Sequence, residues 1–259
     1  MTQLVAIESL LQAVRECADV AGGVALGHYR KNVAVEWKGD GSPVTIADRG
    51  AEQAARDWIG ARFPTDGIAG EEFPEKAGTS GRRWIIDPID GTKSFVRGVP
   101  LWGSLVAVVE GEHVLAGAAS FPAVGETVAA STGCGCWHNG SRARVSDIAA
   151  LRDSTVLISD ERVFPTGAGR DRWEQLASIA AVSRSWGDAF GYLMVATGRA
   201  EVMVDAIVNA WDIACFLPVI EEAGGVFTSL DGKVTAFGGN SIATNAALAA
   251  ESRRILCST

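Results

Sequence analysis

Apolar residues recur at helical spacing through residues 4–29 with few breakers, which predicts a long amphipathic first helix. A second helix is expected over 47–63, where Pro64 stops it. Between them, Lys38, Gly39, Asp40, Gly41, Ser42 and Pro43 are turn residues and read as a loop. Residues 83–87 read as a buried strand that stops at Pro88, and 101–110 and 114–121 as two strands joined around Gly111. Beyond Gly133 comes a turn-rich hairpin carrying Asn139-Gly140. The second half opens with a strand at 155–159, a helix at 172–181 and a helix at 189–197 that ends on Gly198. A strand at 201–205, one helix over 211–223, strands at 226–230 and 241–244 and a helix at 246–256 complete the pattern. Helices and strands intermix without regular βαβ alternation, so a layered α+β architecture is predicted rather than a doubly wound sheet.

The 259 residues suffice for one large domain or two closely packed halves. With 47% hydrophobic and 21% charged residues, the composition is that of a globular protein. A formal net charge of −8 argues against non-specific nucleic-acid binding, which needs a basic surface. It does not exclude an anionic substrate, because divalent cations invert the field of an acidic site. No basic stretch followed by an apolar run opens the chain, and no apolar run reaches the roughly 18 residues of a membrane span. A cytoplasmic protein with no membrane partner is expected. Five scattered cysteines do not form a disulfide framework. Cys134, Cys136 and His138 lie close together but fall one ligand short of a structural zinc site, and the glycines among them read as hairpin turns.

Three acidic segments carry candidate chemistry: Gly70-Glu71-Glu72, Asp87-Pro88-Ile89-Asp90-Gly91-Thr92 and Trp211-Asp212. Hard cations such as Mg²⁺ take oxygen ligands, usually a few carboxylates with water and phosphate oxygens. A carboxylate at a strand end and another three residues on converge if the chain turns sharply between them; Pro88 fixes one φ for such a turn and Gly91 permits an unusual one. The Ile89 carbonyl would then point inward. A helix starting at Gly91-Thr92 would offer backbone N–H groups to a phosphate.

In this order the three segments resemble the inositol monophosphatase superfamily of Mg²⁺-dependent, Li⁺-sensitive phosphatases. The likeness extends to the stretch from Pro43 to Asp48, to Asn139-Gly140, to residues 193–200 and to residues 222–225, and so covers essentially the whole chain. The resemblance implies a layered α/β/α/β/α sandwich of the inositol monophosphatase and fructose-1,6-bisphosphatase type. It implies a metal- and phosphate-binding half, residues 1–147, and a substrate-binding half, 148–259, that contributes Asp212. Two to three Mg²⁺ ions are implied. Glu71, Asp87 and the Ile89 carbonyl would bind the first, Asp87, Asp90 and Asp212 the second, and Glu71 with water a weaker third. Asp48 and Thr92, supported by Glu72, would orient and deprotonate the attacking water. Gly91 and Thr92 would hold the phosphate through their N–H groups. A homodimer acting on a small phosphorylated metabolite is the further implication.

For the substrate, Asp188 and Asp205 could face the leaving group. A polyol is served by one carboxylate, whereas a cationic amine favours two. Together with Trp186-Gly187, Gly191-Tyr192 and residues 202–205, this pattern resembles the histidinol-phosphate phosphatase branch. The expected reaction is hydrolysis of L-histidinol phosphate in histidine biosynthesis. An inositol-1-phosphate or broad sugar-phosphate phosphatase is the alternative, followed by a non-catalytic relative that only binds metal or phosphate. Capping of the next helix by Asp188 would be the structural role competing with substrate contact.

Overall fold

The structure is a computed structural model that describes residues 2–39, 41–164 and 168–257; Asp40 of the expected loop lies outside the described residues. Helix α1 (Thr2–His28) leads through a short hairpin, β1 (Val35–Trp37) and β2 (Pro43–Thr45), into helix α2 (Ile46–Arg62). Thr45 caps α2 by accepting from Ala47 N at 3.0 Å, and the helix ends before Pro64.

The chain then builds a seven-stranded sheet from β3 (Gly67–Gly70), β4 (Arg82–Asp90), β5 (Gly103–Glu110), β6 (His113–Phe121), β7 (Glu126–Ser131), β8 (Gly135–His138) and β9 (Ser141–Arg142). The strands lie in that order, antiparallel except for the parallel pair β3 and β4. A single turn, α3 (Thr92–Val96), follows β4. The remaining elements are β10 (Thr155–Ile158), α4 (Ala168–Ile179), β11 (Val182–Arg184), α5 (Ala189–Ala196), β12 (Val202–Asp205), α6 (Ala210–Ile213), α7 (Phe216–Glu222), β13 (Val226–Thr228), β14 (Ser241–Thr244) and α8 (Ala249–Leu256). Their strands form a five-stranded mixed sheet in the order β11-β10-β12-β14-β13.

Five layers result: α1 and α2, the larger sheet, then α5, α6 and α7, the smaller sheet, and finally α4 and α8. The larger sheet is covered on both faces, so its central strands read as continuous apolar runs. In β5, Leu105, Ala107 and Val109 join the core between the sheets, while Val106 and Val108 join the core beneath α1 and α2. The expected α+β sandwich is the observed fold. Among the described residues no helix is long and apolar enough to cross a membrane.

Two expectations about local structure are corrected. The strand expected to stop at Pro88 runs on to Asp90; its pairing with β5 slips between Asp87 and Asp90, and the proline, which has no N–H to give, occupies the irregularity. The single helix expected over 211–223 is two helices, with Ala214 and Cys215 in the break. Pro218 accounts for it, since in a continuous helix its ring would meet the Ala214 carbonyl. The break also fits the sheet: a Cβ on Gly117 of β6 would lie 2.2 Å from Cys215 O, so the turn rests directly on the strand. Strands β1, β2, β3, β7 and β11 were not among the sequence expectations, and Pro43, read as the end of a loop, opens β2.

Candidate active site

The slipped end of β4 turns two carboxylates toward one cleft. Asp87 accepts from Ile89 N at 3.0 Å, and Ser104 Oγ donates to Pro88 O at 2.6 Å, which locks the irregular strand. Gly91 follows with φ of 81° as the N-cap of α3. A Cβ there would lie 3.0 Å from Leu101 O and 3.3 Å from Asp188 Oδ2, so glycine is required for both conformation and space. Thr92 Oγ1 donates to Ile89 O at 2.9 Å and has Asp48 Oδ1 within 3.3 Å as an alternative acceptor.

Two helix starts deliver the next acids. Asp48 is the third residue of α2, and its Oδ2 accepts from Thr45 N and from Thr45 Oγ1, both at 2.7 Å. Asp212 holds the same place in α6, with its Oδ2 accepting from Asn209 N at 2.7 Å. Each is the acidic member of a capping box, which leaves the second oxygen of Asp48 to Thr92 and that of Asp212 to the cleft. Thr45-x-x-Asp48 and Asn209-x-x-Asp212 are the sequence signals for this geometry.

The Glu71-Glu72 arm follows β3. Buried Glu52, one turn beyond Asp48 on α2, accepts from Glu72 N at 2.7 Å and pairs with Arg56 at 2.7 Å. A Cβ on Gly70 would sit 2.1 Å from Glu52 Oε1, so the arm reaches its place only because residue 70 is glycine. Glu52 was absent from the sequence candidates, although its helical spacing from Asp48 is a usable signal. Lys38, also absent from them, donates to Glu71 Oε1 at 2.7 Å and to Glu72 Oε1 at 2.6 Å.

Asp87, Asp90 and Asp212 each bring an oxygen within 4.8 Å of the others. Burial, followed by the charges of neighbouring acids, raises Asp87 and Asp90 well above the usual carboxylate range. Asp212 is pushed up to about 6 and Glu72 to about 7, in both cases chiefly by burial. Burial raises Asp48 as well, against its bonds from Thr45. Converging hard oxygens whose mutual repulsion favours protonation are a donor set suited to a divalent cation such as Mg²⁺.

The cleft has a volume of about 270 Å³ and is lined by Asp87, Asp90, Thr92, Asp188, Asp205 and Asp212, with Asp188 next to Gly91. Lys93 is its single basic lining residue among those described. Asp188 precedes α5 but makes no side-chain capping bond to it. That bond comes instead from Asp90, whose Oδ2 accepts from Ala189 N at 2.5 Å. Asp188 holds φ of 51°, a strained value for a non-glycine residue, and Asp188 N donates to Ser159 Oγ at 2.8 Å. A Cβ on Gly187 would lie 2.0 Å from Ser159 Cα, so the loop can press against β10 only with glycine there. Asp205 is buried; Tyr192 Oη donates to its Oδ2 at 2.7 Å, Ser159 donates to it as well, and burial pushes it up to about 7. Tyr192 Oη also bonds Ser241 Oγ. His138 Nε2 instead bonds Glu126 at 2.9 Å, on the far hairpin of the larger sheet.

The carboxylate cluster lining the cleft suits a divalent cation, and the family that the chain matches makes it a phosphoric monoester hydrolase. The chain belongs to the inositol monophosphatase family, whose model matches residues 6–259. It is 46% identical over 217 residues to a histidinol-phosphatase of Chlorobaculum parvum, covering 83% of each chain. It is 38% identical to a histidinol-phosphatase of Mycobacterium tuberculosis, over 92% of this chain and 93% of that one. Among solved structures, the extragenic suppressor protein suhB of Bartonella henselae superposes with a TM-score of 0.87 at 27% identity, covering 96% of this chain and 98% of that one.

Proposed function

We propose that the protein hydrolyses L-histidinol phosphate to L-histidinol and phosphate, serving histidine biosynthesis. The observation that carries this reading is Asp188: its carboxylate is not spent on capping α5 and lines the cleft beside Gly91, where an ammonium group on the substrate would meet it. The names of the two relatives support the same reading.

In this proposal residues 1–147 supply the metal and phosphate half and 148–259 the substrate half. Glu71, Asp87, Asp90, Asp212 and the Ile89 carbonyl hold two to three Mg²⁺ ions, and the N–H groups of Gly91 and Thr92 hold the phosphate. Bound Mg²⁺ supplies charge neutralisation at the phosphoryl oxygens, acidification of a water and stabilisation of the leaving oxygen. The chain's own residues handle the protons. The Thr92 hydroxyl passes its proton to Asp48, whose burial favours taking it, and receives one from the attacking water, with Glu72 supporting the network. The water oxygen bonds to phosphorus in line with the breaking ester bond; the leaving oxygen takes a proton from a water positioned by Asp212, and the proton held on Asp48 neutralises the hydroxide left behind. Asp188 and Asp205 form the acidic wall for the substrate's amine. A cytoplasmic homodimer completes the proposal, checked by light scattering of the purified chain.

A second reading, an inositol-1-phosphate or broad sugar-phosphate phosphatase, draws support from Asp205, which is already bonded by Tyr192 and Ser159 and so offers less to a cation. Phosphate release with Mg²⁺ from histidinol phosphate, inositol 1-phosphate and an aryl phosphate separates the two. The expected result is a preference for histidinol phosphate. Preference for inositol 1-phosphate would replace the substrate, and no release from any of the three would leave a binding module.

A further inference from the structure

A second cavity, of about 400 Å³, shares no lining residue with the acidic cleft and is lined by residues 142–144 and 221–224. Its backbone is fixed from both sides. Ala143 N donates to Cys136 O of β8 and Val145 N to Ala223 O at the end of α7, both at 3.0 Å. Four charged residues line this space: Arg142, Arg144, Glu221 and Glu222. Among the described residues none of the four is in an ion pair, whereas Arg49 and Arg199, also exposed, each close on a carboxylate at 2.7 Å. Glu222 is held elsewhere, since its two oxygens accept from Gly133 N and Gly135 N, each at 2.6 Å. The Arg142 guanidinium lies 4.4 Å from the centre of the Trp137 ring, and a Cβ on Gly135 would sit 1.1 Å from Arg142 Nη1, so glycine there makes room for it. Arg144 and Glu221 are exposed, and neither side chain makes a hydrogen bond among the described residues.

We infer that this cavity is a binding site for a zwitterionic α-amino acid, with Arg142 and Arg144 donating to its carboxylate and its ammonium donating to Glu221. A simple anion would meet two glutamates there and a simple cation two arginines, whereas a ligand carrying both charges finds a partner for each. Guanidinium groups present the forked N–H donors that match a carboxylate. The volume falls within the roughly 300–1,000 Å³ of small-molecule sites, and Ala143, Ala223 and Gly224 add little bulk against the ligand's own side chain. The inference is independent of the proposed substrate, because no residue of this cavity takes part in the proposed hydrolysis.

The test is calorimetric titration of the full chain with glycine, L-alanine, L-glutamate, L-lysine, L-phenylalanine and L-histidine, with acetate and methylamine as ligands of one charge only. The expected result is saturable binding of at least one amino acid and of neither control. That binding should weaken about tenfold in Arg144→Ala and in Glu221→Gln, the equivalent of one charge-assisted hydrogen bond each, and stay unchanged in Asp188→Asn. Arg144→Lys and Glu221→Ala serve if either variant fails to fold, which melting curves identify. Saturation by none of the six amino acids would overturn the inference, as would acetate binding as tightly as they do. Amino-acid binding that is lost in Asp188→Asn and kept in the Arg144 and Glu221 variants would place the ligand in the acidic cleft and overturn it too. Phosphate release by wild type, measured separately, decides the proposed function in every case.

Discussion

The carboxylate of Asp90 accepts a 2.5 Å hydrogen bond from Ala189 N, the first residue of α5. One acid at the end of a strand of the larger sheet thereby caps a helix that packs between the two sheets. Because Asp90 takes the capping role, Asp188 is left to line the cleft. The same side chain thus ties the larger sheet to the helical layer between the sheets and lines the cleft proposed to hold the ions.

Asp90→Asn retains an acceptor for Ala189 N while removing a charge from the trio. Turnover is expected to fall below about a hundredth of wild type, the scale of losing a major electrostatic contribution. The melting temperature should stay within a few degrees. Normal kcat in a folded variant would remove Asp90 from the site.

Without metal, the acidic cluster sets a distinctive pH dependence. Asp205 and Glu72 are pushed up to about 7 and Asp212 to about 6, whereas an unfolded chain ionises such groups near pH 4. Between those values the folded state binds more protons, so stability is full below about pH 4 and is lost as pH rises through 6 to 7. Scanning fluorimetry in EDTA should show the melting temperature falling from pH 5 to pH 8. Mg²⁺ should flatten the slope, and Asp205→Asn should reduce it even without metal. A melting temperature that rises over this range would contradict the assignment of these groups.

Gly70→Ala places a methyl group against the Glu52 carboxylate, which has nowhere to go between Arg56 and Glu72 N. Expected effects are a loss of about 1–3 kcal/mol in urea denaturation and weaker Mg²⁺ binding by calorimetry. An unaltered Mg²⁺ affinity would show that Glu52 does not position the arm.

Tyr192→Phe removes the donor to Asp205 and the partner of Ser241. Destabilisation of about 1–3 kcal/mol is expected. It should be larger at pH 8, where Asp205 is an anion short of a donor, than at pH 5, where the protonated acid can donate on its own. Urea denaturation at the two pH values measures the difference.

Asp188→Asn should raise KM for histidinol phosphate about tenfold, the loss of one charge-assisted contact. KM for inositol 1-phosphate should change little. Equal effects on both substrates would assign Asp188 to shaping the loop, where its φ is strained, and not to recognition of an amine.

Much of this was legible along the chain because it is written in local order. Helix α2 shows its apolar spacing, its Thr45-x-x-Asp48 start and its Pro64 stop within one segment, and the acids of Asp87-Pro88-Ile89-Asp90-Gly91-Thr92 stand adjacent to the turn that aims them. What tertiary structure decided is which distant groups share a charge or a hydrogen bond. The bonds from Lys38 to Glu71 and from Ala189 N to Asp90 span 33 and 99 positions. The commitment of Asp205 to Tyr192 likewise depends on β12 and α5 being packed together. Periodicity reports which face of an element is apolar, whereas the state of a carboxylate depends on the burial and partners that only the packed layers supply.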